Sequence, residues 1–336
     1  MKSRSQPKKA GYANQHYVPR LLLKRFTGPD EINIGLMNAL SGEIKPSVPY
    51  KPQCAKYYFY GKDLLIEKEL GKIENEVRKI IREISSISDP HIERFSRAHM
   101  LLTIFSVYQY VRTEKALKLV EEVIAKSFSI IKDQTKPQLM LKLAEEANGA
   151  LSERELSEFC DSLSISITNP HFTLFETANK IIRPSMQLEM KLLINNTNTP
   201  FLISDNPLIY MNDGNEDCFY RMLLPLTPNL LIAFYDGKKY KIGSRKKNLH
   251  KVTNELDIFY LNVLQYLNCN KNIYFSPQTP VKHLISLNKS FKKFRFSEAS
   301  TLIEFNFQPF LKTNRPTVNH RFTFAKQVAL KGRPPK

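Results

Sequence analysis

The stretch MQLEMKLLINNTNTPFLISDNP, residues 186–207, marks the point at which the hydrophobic pattern of this 336-residue chain changes. Upstream of it, apolar residues recur at steps of three and four, which is the period of an amphipathic helix. Within it, short apolar or alternating runs end at turn residues, as β-strands do. The sequence therefore predicts an α+β fold, in which a central helical bundle (about 63–183) packs with a mixed or antiparallel β-rich C-terminal half.

The helical half contains one clear amphipathic segment and several longer or weaker ones. Residues 63–84 carry apolar side chains at helical spacing, and Asp63 can cap their first turn. A second helix is predicted from about 92 to 132, and its segment 100–111 is apolar on nearly every side, as in the middle of a bundle. We expect Pro137 to end it. Three further helices are predicted near 137–148, 152–163 and 171–183.

Strands and turns account for most of the remainder. Residues 28–62 are predicted to form short strands and turns, and a helix near 251–268 interrupts the strands of the C-terminal half. We expect a single α+β domain over 14–290, with a helical lobe at 63–183 and a β-rich lobe at 186–290. A disordered basic tail (1–13) and a basic C-terminal extension (291–336) would flank it.

The net charge of +18 is concentrated in three places. Residues 1–29, 305–336 and 237–251 each carry seven Lys or Arg and no acid. Such basic patches are typical of a polyanion partner, most often DNA or RNA, although solvated tails would give the same charge. The internal loop supplies the candidate nucleic-acid-binding residues Lys238, Lys239, Lys241, Arg245, Lys246 and Lys247.

Several classes of protein lose support. The four cysteines form no CxxC pair, which argues against structural zinc and against a disulfide framework. No apolar run approaches the length of a membrane span, and the basic start has no apolar core of a signal peptide, so we expect a cytoplasmic protein without a membrane partner. The phosphate-loop, dinucleotide, zinc-protease and nucleophile-elbow motifs are absent.

Two candidate site residues lie in the first part of the chain. His16 precedes the first predicted helix, where the helix dipole favours the neutral imidazole, which can act as a base or ligand. A histidine that merely ties a loop to the core would show the same pattern. Glu74 lies at the flank of the apolar stripe on the helix at 63–84, from which its carboxylate can reach inward.

Gln109 and Arg112 are two strongly polar residues on the apolar segment of the second helix. They lie three positions apart and therefore share a face. Because buried polar groups must be satisfied, Arg112 needs a carboxylate or a phosphate. A structural ion pair and an anionic ligand are both compatible with this position.

Asp205 and Asn206 follow the apolar run Phe201–Ile203, and Pro207 stops the strand. A strand that ends on an acid can present that acid to Mg²⁺ and phosphate at the rim of a sheet. The alternative is a turn without function, since Asp and Asn side chains fold back on their own backbone.

The last six residues, KGRPPK, resemble the short minor-groove-binding segment called an AT-hook. Lys331 and Arg333 are its candidate nucleic-acid-binding residues. The leading residue is Lys rather than Arg, and the segment occurs once.

Six segments, taken in order, resemble the bacterial family called domain of unknown function 4238. They are QHYVPRLLLKRF, IENEV, YQYVRT, FLISDNPL, LLPLTPNLLI and VTNELD, which together cover about residues 15–280. The resemblance implies that the family's motif positions are occupied by His16, Pro19, Glu74, Gln109, Arg112, Asp205, Asn206 and Asn254. Because these residues come from separate elements, the resemblance suggests that they meet in one pocket. The family name supplies no reaction.

Three functional hypotheses follow. The first is a metal-dependent nuclease of a bacterial defence or toxin type, in which Glu74 and Asp205 bind Mg²⁺ or Mn²⁺ and Arg112 stabilises phosphate charge. His16 would act as base or ligand, with Gln109 and Asn206 orienting the substrate. The second is a non-enzymatic DNA- or RNA-binding protein that docks through its basic ends. The third is a sensor that binds a nucleotide ligand at Arg112.

Overall fold

The computed structural model describes residues 13–87, 90–211, 218–298, 300–305 and 308–328. The predicted tail at 1–13 falls outside this range except for Ala13, and so do Lys331 and Arg333. Within the described residues there are eight α-helices: α1 (Arg20–Leu23), α2 (Leu65–Ser86), α3 (Arg97–Val111), α4 (Glu114–Ala147), α5 (Glu153–Ser162), α6 (Pro170–Ser185), α7 (Glu255–Asn268) and α8 (Val281–Phe291).

The described strands are short, and most of them follow the helical half. They are β1 (Asn14–His16), β2 (Asn33–Asn38), β3 (Ile44–Pro49), β4 (Ala55–Tyr57), β5 (Glu189–Asn195), β6 (Ile203–Ser204), β7 (Ile209–Tyr210), β8 (Tyr220–Thr227), β9 (Leu230–Tyr235), β10 (Tyr240–Ile242), β11 (Leu249–Val252), β12 (Asn272–Phe275), β13 (Ser300–Phe305), β14 (Gln308–Thr313) and β15 (Ala325–Gln327). The predicted α+β class is confirmed, with the helical bundle preceding the β-rich half.

The bundle is built around α3, which packs against α2 and α6, while α4 packs against α5 and α6. The prediction of one helix over 92–132 was wrong, because the chain breaks at Arg112 and Thr113. Thr113 has extended backbone angles, and its hydroxyl accepts the N–H of Ala116, so it caps the start of α4. This break is what places Arg112 at the end of α3, facing residues from other elements.

Pro137 does not end a helix, and that prediction was also wrong. It lies inside α4, which continues to Ala147 and absorbs the helix predicted at 137–148. A proline inside a helix costs roughly 3 kcal/mol, so tertiary contacts must offset it. One of them is the ion pair of Lys136 with Asp161 of α5, at 2.7 Å. The capping box of α5, formed by Ser152 and Glu155, is present.

The described part of the β-rich half contains two larger sheets and the two-stranded sheets β10-β15 and β13-β14. In the largest sheet the strand order is β11-β5-β9-β8-β7, with β11 parallel to β5 and the other pairs antiparallel, so the sheet is mixed. Every residue of β9 is buried, which explains its uninterrupted apolar sequence. Pro225 lies in β8 next to a shift in the pairing register with β9, the irregularity that lets a central strand tolerate proline.

The second sheet, in the order β3-β2-β12-β6, joins the N-terminal segment to the C-terminal half. Gly35 of β2 lies opposite Phe275 of β12. A Cβ atom at Gly35 would lie 2.1 Å from a carbon of the Phe275 ring, so only glycine fits this close approach.

The segment after residue 290 packs on the rest of the chain. Strand β15 pairs with β10, and Phe322 and Phe324 are buried against Phe219. Among the described helices, none combines the length and the hydropathy that a membrane span requires.

Candidate functional site

Arg112 is the centre of a buried polar cluster that joins three elements. Its side chain is 1% exposed. The guanidinium donates to the carboxylate of Glu74 on α2 at 2.7 Å, to the carbonyl oxygen of His16 at 2.6 Å and to the hydroxyl of Tyr60 at 3.1 Å. Burial alone lowers the pKa of Arg112, but Tyr60 and Glu74 raise it, and the net direction is upward. The guanidinium is therefore charged and held by protein groups on all sides of its fork.

Glu67 lies two helical turns before Glu74 on α2 and belongs to the same cluster. Its Oε2 atom is buried and has no hydrogen-bond partner among the described residues. Burial raises the pKa of Glu67 from 4.5 to about 7, against the opposing effect of Arg112. A carboxyl group of this kind is poised to exchange a proton near neutral pH, as general acids and bases are.

The imidazole of His16 is buried beside this cluster. Its Nε2 atom lies 2.8 Å from the carbonyl oxygen of Lys51 and 3.1 Å from Nε of Arg20. The two contacts require opposite protonation of Nε2, because the carbonyl only accepts and the guanidinium only donates. Burial lowers the pKa of His16, with the Lys51 carbonyl opposing, so the ring is neutral near pH 7.

Asp205 lies in a different network, on the turn after β6. Its two carboxylate oxygens accept the backbone N–H groups of Asn270, Lys271 and Asn272 at 2.7, 2.7 and 2.9 Å. Burial raises the pKa of Asp205, and these three donors offset part of that effect. The carboxylate thus fastens the connection between α7 and β12 to the end of β6.

Asn206 continues this network. Its Oδ1 accepts the hydroxyl of Thr113 at 2.7 Å, and its Nδ2 donates to the carbonyl of Asn268 at 3.1 Å. Ser204 donates to the side chain of Gln265 on α7 at 2.9 Å. The polar turn after the apolar run Phe201–Ile203 is therefore tied to α4 and α7.

The other motif residues have local partners. Nε2 of Gln109 donates to the carbonyl of Phe105 one turn earlier, and its Oε1 is buried without a partner in the described part of the chain. The side chain of Asn254 accepts the N–H of Leu256 and caps α7. Pro19 is the residue immediately before α1.

The predicted pair of metal ligands, Glu74 and Asp205, is divided between the two networks. Glu74 is bound to Arg112, and both oxygens of Asp205 are engaged by backbone N–H groups. Within the ranges that the structure describes, no group of three or more His, Cys, Asp or Glu side chains could hold a metal ion. In the described structure, therefore, the two carboxylates are each engaged by different protein donors.

Part of the basic loop at 237–251 forms one wall of a cleft of about 370 Å³, which we call the basic cleft. Its polar and charged lining is Lys241, His250, Lys251, Thr253, Thr323 and Lys326. Lys241 of β10 lies directly opposite Lys326 of β15 in the antiparallel register. The remaining lining residues described for this cleft are apolar or glycine.

The other predicted basic residues lie around the basic cleft. Lys238, Arg245, Lys246 and Lys247 are exposed, and Lys239 is half-buried. The buried Lys191 donates to the carbonyl of Ser244 at 2.7 Å and also to the carbonyl of Lys247. A lysine on β5 thus holds the turn that carries these side chains.

Sequence reasoning missed three members of the Arg112 cluster. Glu67 is seven residues before Glu74, and Arg20 is four residues after His16. The first spacing places two side chains on one face of α2 and could have indicated the pairing. The second gives no helical signal, because His16 lies on strand β1 and Arg20 begins α1. Tyr60 has no such signal, because it contacts Arg112 across 52 positions of the chain.

Comparison with known proteins identifies a family. The model of a family described as protein of unknown function (DUF4238) matches residues 14–279. A search among curated proteins and a search among solved structures each returned no match. The matched range contains both polar networks and most of the basic cleft, and it ends before the C-terminal segment that carries β15.

Proposed function

The chain belongs to the family of proteins of unknown function DUF4238, and we propose that this protein binds a nucleic acid through its basic cleft. The proposal concerns binding to the phosphate backbone, which basic side chains accomplish without reading sequence. The exposed residues Lys238, Arg245, Lys246 and Lys247 extend the same positive surface beyond the cleft.

The observation that carries the proposal is the pairing of Lys241 with Lys326. Side chains directly opposite each other on antiparallel strands have Cβ atoms about 5 Å apart, and like charges there are destabilising. No acidic side chain lines the basic cleft among its described residues, so its described lining supplies no counter-charge. A phosphate group between the two lysines would remove the repulsion, and Lys251 adds a third cation to the same cleft.

The alternative explanation for this charge is solubility. A positive surface that serves solubility has no reason to place two lysines in register opposite each other, because dispersed charges avoid the repulsion. Because Lys326 lies on β15, which pairs with β10, the proposal is tested by point substitutions. Truncation of the C-terminal segment would remove β15 and expose the edge of β10 as well as removing the charge.

The test compares Lys241→Glu/Lys326→Glu with the control Lys282→Glu/Lys289→Glu, which changes the same charge at two exposed lysines of α8. Binding of a labelled DNA duplex and a labelled RNA strand is measured by fluorescence anisotropy over a range of salt concentrations. We expect the wild-type affinity to fall linearly with the logarithm of salt. On duplex DNA the slope should decrease by about 0.9 for each phosphate that the protein no longer neutralises, so by roughly 2 for the double variant.

The control variant, Lys282→Glu/Lys289→Glu, should retain most of the wild-type dependence of affinity on salt concentration. Equal losses in the two double variants would mean that only net charge matters and that the basic cleft is not the docking site. Absence of binding by the wild-type protein to either nucleic acid at low salt would contradict the proposal itself.

A second candidate function is hydrolysis of the bound nucleic acid at the Arg112 cluster. The observation that favours it is the unpartnered buried oxygen of Glu67 beside a neutral His16 and a charged Arg112. In this version of the nuclease hypothesis Glu67 is the acid–base group, a role first given to His16, and Asp205 takes no part as a metal ligand. Any Mg²⁺ or Mn²⁺ would have to come with the substrate phosphates rather than with a ligand set built into the protein.

Cleavage is tested with DNA and RNA in the presence of Mg²⁺ or Mn²⁺ and in the presence of a chelator. We expect Glu67→Gln to abolish cleavage while the protein keeps its fold and its binding. Cleavage that survives Glu67→Gln would exclude this carboxyl group from the reaction.

A further inference from the structure

A second, smaller cleft lies beneath the turn at 205–207 and is separate from the Arg112 cluster. Its charged and polar lining comes from four parts of the chain: Tyr110, Lys115, Asn206, Tyr210, Asn268, Thr313, Asn314 and Arg315. The free space at its floor is about 30 Å³. One water needs roughly 10–15 Å³ by this measure, so the floor admits two or three waters or one small anionic group.

Arg315 lines this cleft, and no acidic partner for it is present in the part of the chain that the structure describes. Its guanidinium lies over the ring of Tyr210 at 4.7 Å and near that of Tyr110 at 5.5 Å, and its Nη1 donates to the carbonyl of Tyr210 at 3.0 Å. Its Nε atom is buried and has no hydrogen-bond partner among the described residues. A buried donor on a charged group is costly when it is left unpaired, so this nitrogen requires an acceptor.

Lys115 supplies a second cation to the same cleft. Its Nζ donates to the carbonyl of Asn268 at 2.8 Å, which leaves two of its three N–H bonds without a described acceptor. Burial lowers the pKa of Lys115 to about 8; the nearby cations Arg295 and Arg315 act in the same direction, and Asp205 opposes them. Lys115 and Arg315 thus place two cations at one cleft.

The carboxylates closest to this cleft are occupied elsewhere. Asp205 accepts three backbone N–H groups of the α7–β12 connection. Glu114, the neighbour of Lys115 in sequence, forms an ion pair with Lys56 and accepts the side-chain amide of Asn270. Neither Lys115 nor Arg315 has an ion pair with any described acid, so no described carboxylate compensates the charge of the two side chains.

We propose that this cleft binds the phosphate group of a small phosphorylated ligand. Nε of Arg315 and the free N–H bonds of Lys115 would donate to phosphate oxygens, and the N-terminus of the 34-residue helix α4 adds a favourable dipole. The tyrosine rings and Pro316 line the same cleft, where the organic part of the ligand would lie against them. An internal phosphate of a nucleic acid strand carries a nucleoside on each side. It therefore does not suit a floor with room for one small group.

The sequence suggested a ligand pocket at Arg112, and the site proposed here lies instead at Arg315 and Lys115. The fork of Arg112 is filled by Glu74, Tyr60 and the carbonyl of His16, whereas Arg315 and Lys115 each keep donors without a described acceptor. Arg315 lies beyond the family match at 14–279. The bound phosphate would thus contact both Lys115, inside the matched range, and Arg315, in the C-terminal segment. This inference does not depend on the nucleic-acid docking proposed above, since the two clefts share no described residue.

The experiment uses the full chain and measures binding by calorimetry and by thermal shift. The probes are inorganic phosphate, nucleoside 5′-monophosphates, the matching nucleosides without phosphate, and a 5′-phosphorylated oligonucleotide. We expect saturable binding of the monophosphates and none of the nucleosides. Arg315→Gln should weaken that binding by ten-fold or more, since it removes a charge-assisted donor.

Arg321→Gln is the matched control, because Arg321 is an exposed arginine of the same segment outside the cleft, and it should bind as the wild type does. Lys115→Met provides a second variant if Arg315→Gln disturbs the C-terminal segment. Binding of inorganic phosphate as tight as that of the monophosphates would still assign the cleft to phosphate and would identify the free ion as the source. Failure of every probe to bind, equal losses in the Arg315 and Arg321 variants, or binding of the oligonucleotide alone would overturn the proposal.

Discussion

Replacement of Glu67 by Gln should change the pH dependence of stability in a direction that the structure determines. The pKa of Glu67 is about 7 in the folded protein, against an ordinary value of 4.5. Because the folded state holds this proton more tightly than the unfolded state, the wild-type protein loses stability as pH rises from about 4.5 to about 7. Above that window the loss is complete. Glu67→Gln has no proton to lose, so it does not follow this decline.

The magnitude follows from the displacement of the pKa. The change from 4.5 to about 7 would correspond to roughly 3 kcal/mol at about 1.4 kcal/mol for each pKa unit. Part of the Glu67 side chain is open to solvent, so we reduce this to about 1–2 kcal/mol. The charged groups that face Glu67 are Arg112, Glu74 and Arg20, and the backbone of His16 forms a hydrogen bond with its carboxyl group. His16 also titrates in this range, but it is present in both proteins and its effect cancels in their difference.

The assay is urea unfolding of wild type and Glu67→Gln near pH 5 and near pH 8. The free energy of unfolding of the variant, relative to that of wild type, should be about 1–2 kcal/mol higher near pH 8 than near pH 5. Glu69→Gln is the matched control, because Glu69 lies on the same helix but is exposed and pairs with Lys72 on the surface. A stability difference between Glu67→Gln and wild type that stays constant with pH would refute the reasoning, as would an equal change in the control.

Three further predictions concern stability and are measured by the same urea assay. Glu74→Ala leaves the buried guanidinium of Arg112 without its carboxylate and should cost about 3–5 kcal/mol, whereas Glu74→Gln should cost less; equal costs would mean that charge is unimportant here. Asp205→Ala deprives three backbone N–H groups of their acceptor and should cost about 3–6 kcal/mol, and a destabilisation under about 1 kcal/mol would show that water replaces the carboxylate freely. Gly35→Ala places a Cβ atom 2.1 Å from the ring of Phe275 and should cost about 1–3 kcal/mol; a neutral result would mean that the ring can rotate away.

The features that the sequence predicted correctly are those with a local pattern. The apolar period of α2, the capping box at Ser152 and the alternation in β5 all lie within one element, and each was found within a few residues of its expected place. The errors at Arg112 and Pro137 concern helix boundaries. There the outcome depends on which neighbouring elements pack against the chain, and periodicity does not report that.

The candidate site was predictable only in part for the same reason. Glu74, His16 and Arg112 were expected to meet, and the structure brings them together. Asp205 was expected to join them, but it satisfies backbone donors 65–67 positions away. A carboxylate at the end of a strand gives the same sequence signal whether it faces solvent or a neighbouring loop.

The sequence alone determined the α+β class, the family and the existence of a strong positive charge, because composition and short-range periodicity decide these. The tertiary structure decided which polar groups are satisfied within the protein and which remain open. Arg112 and Arg315 are both arginines in partly apolar surroundings, yet the first meets Glu74 and the carbonyl of His16, 96 positions away, while the second keeps a buried donor without a partner among the described residues. Such contacts form only when distant segments pack, and the energy of a buried charge depends on them rather than on its neighbours in sequence.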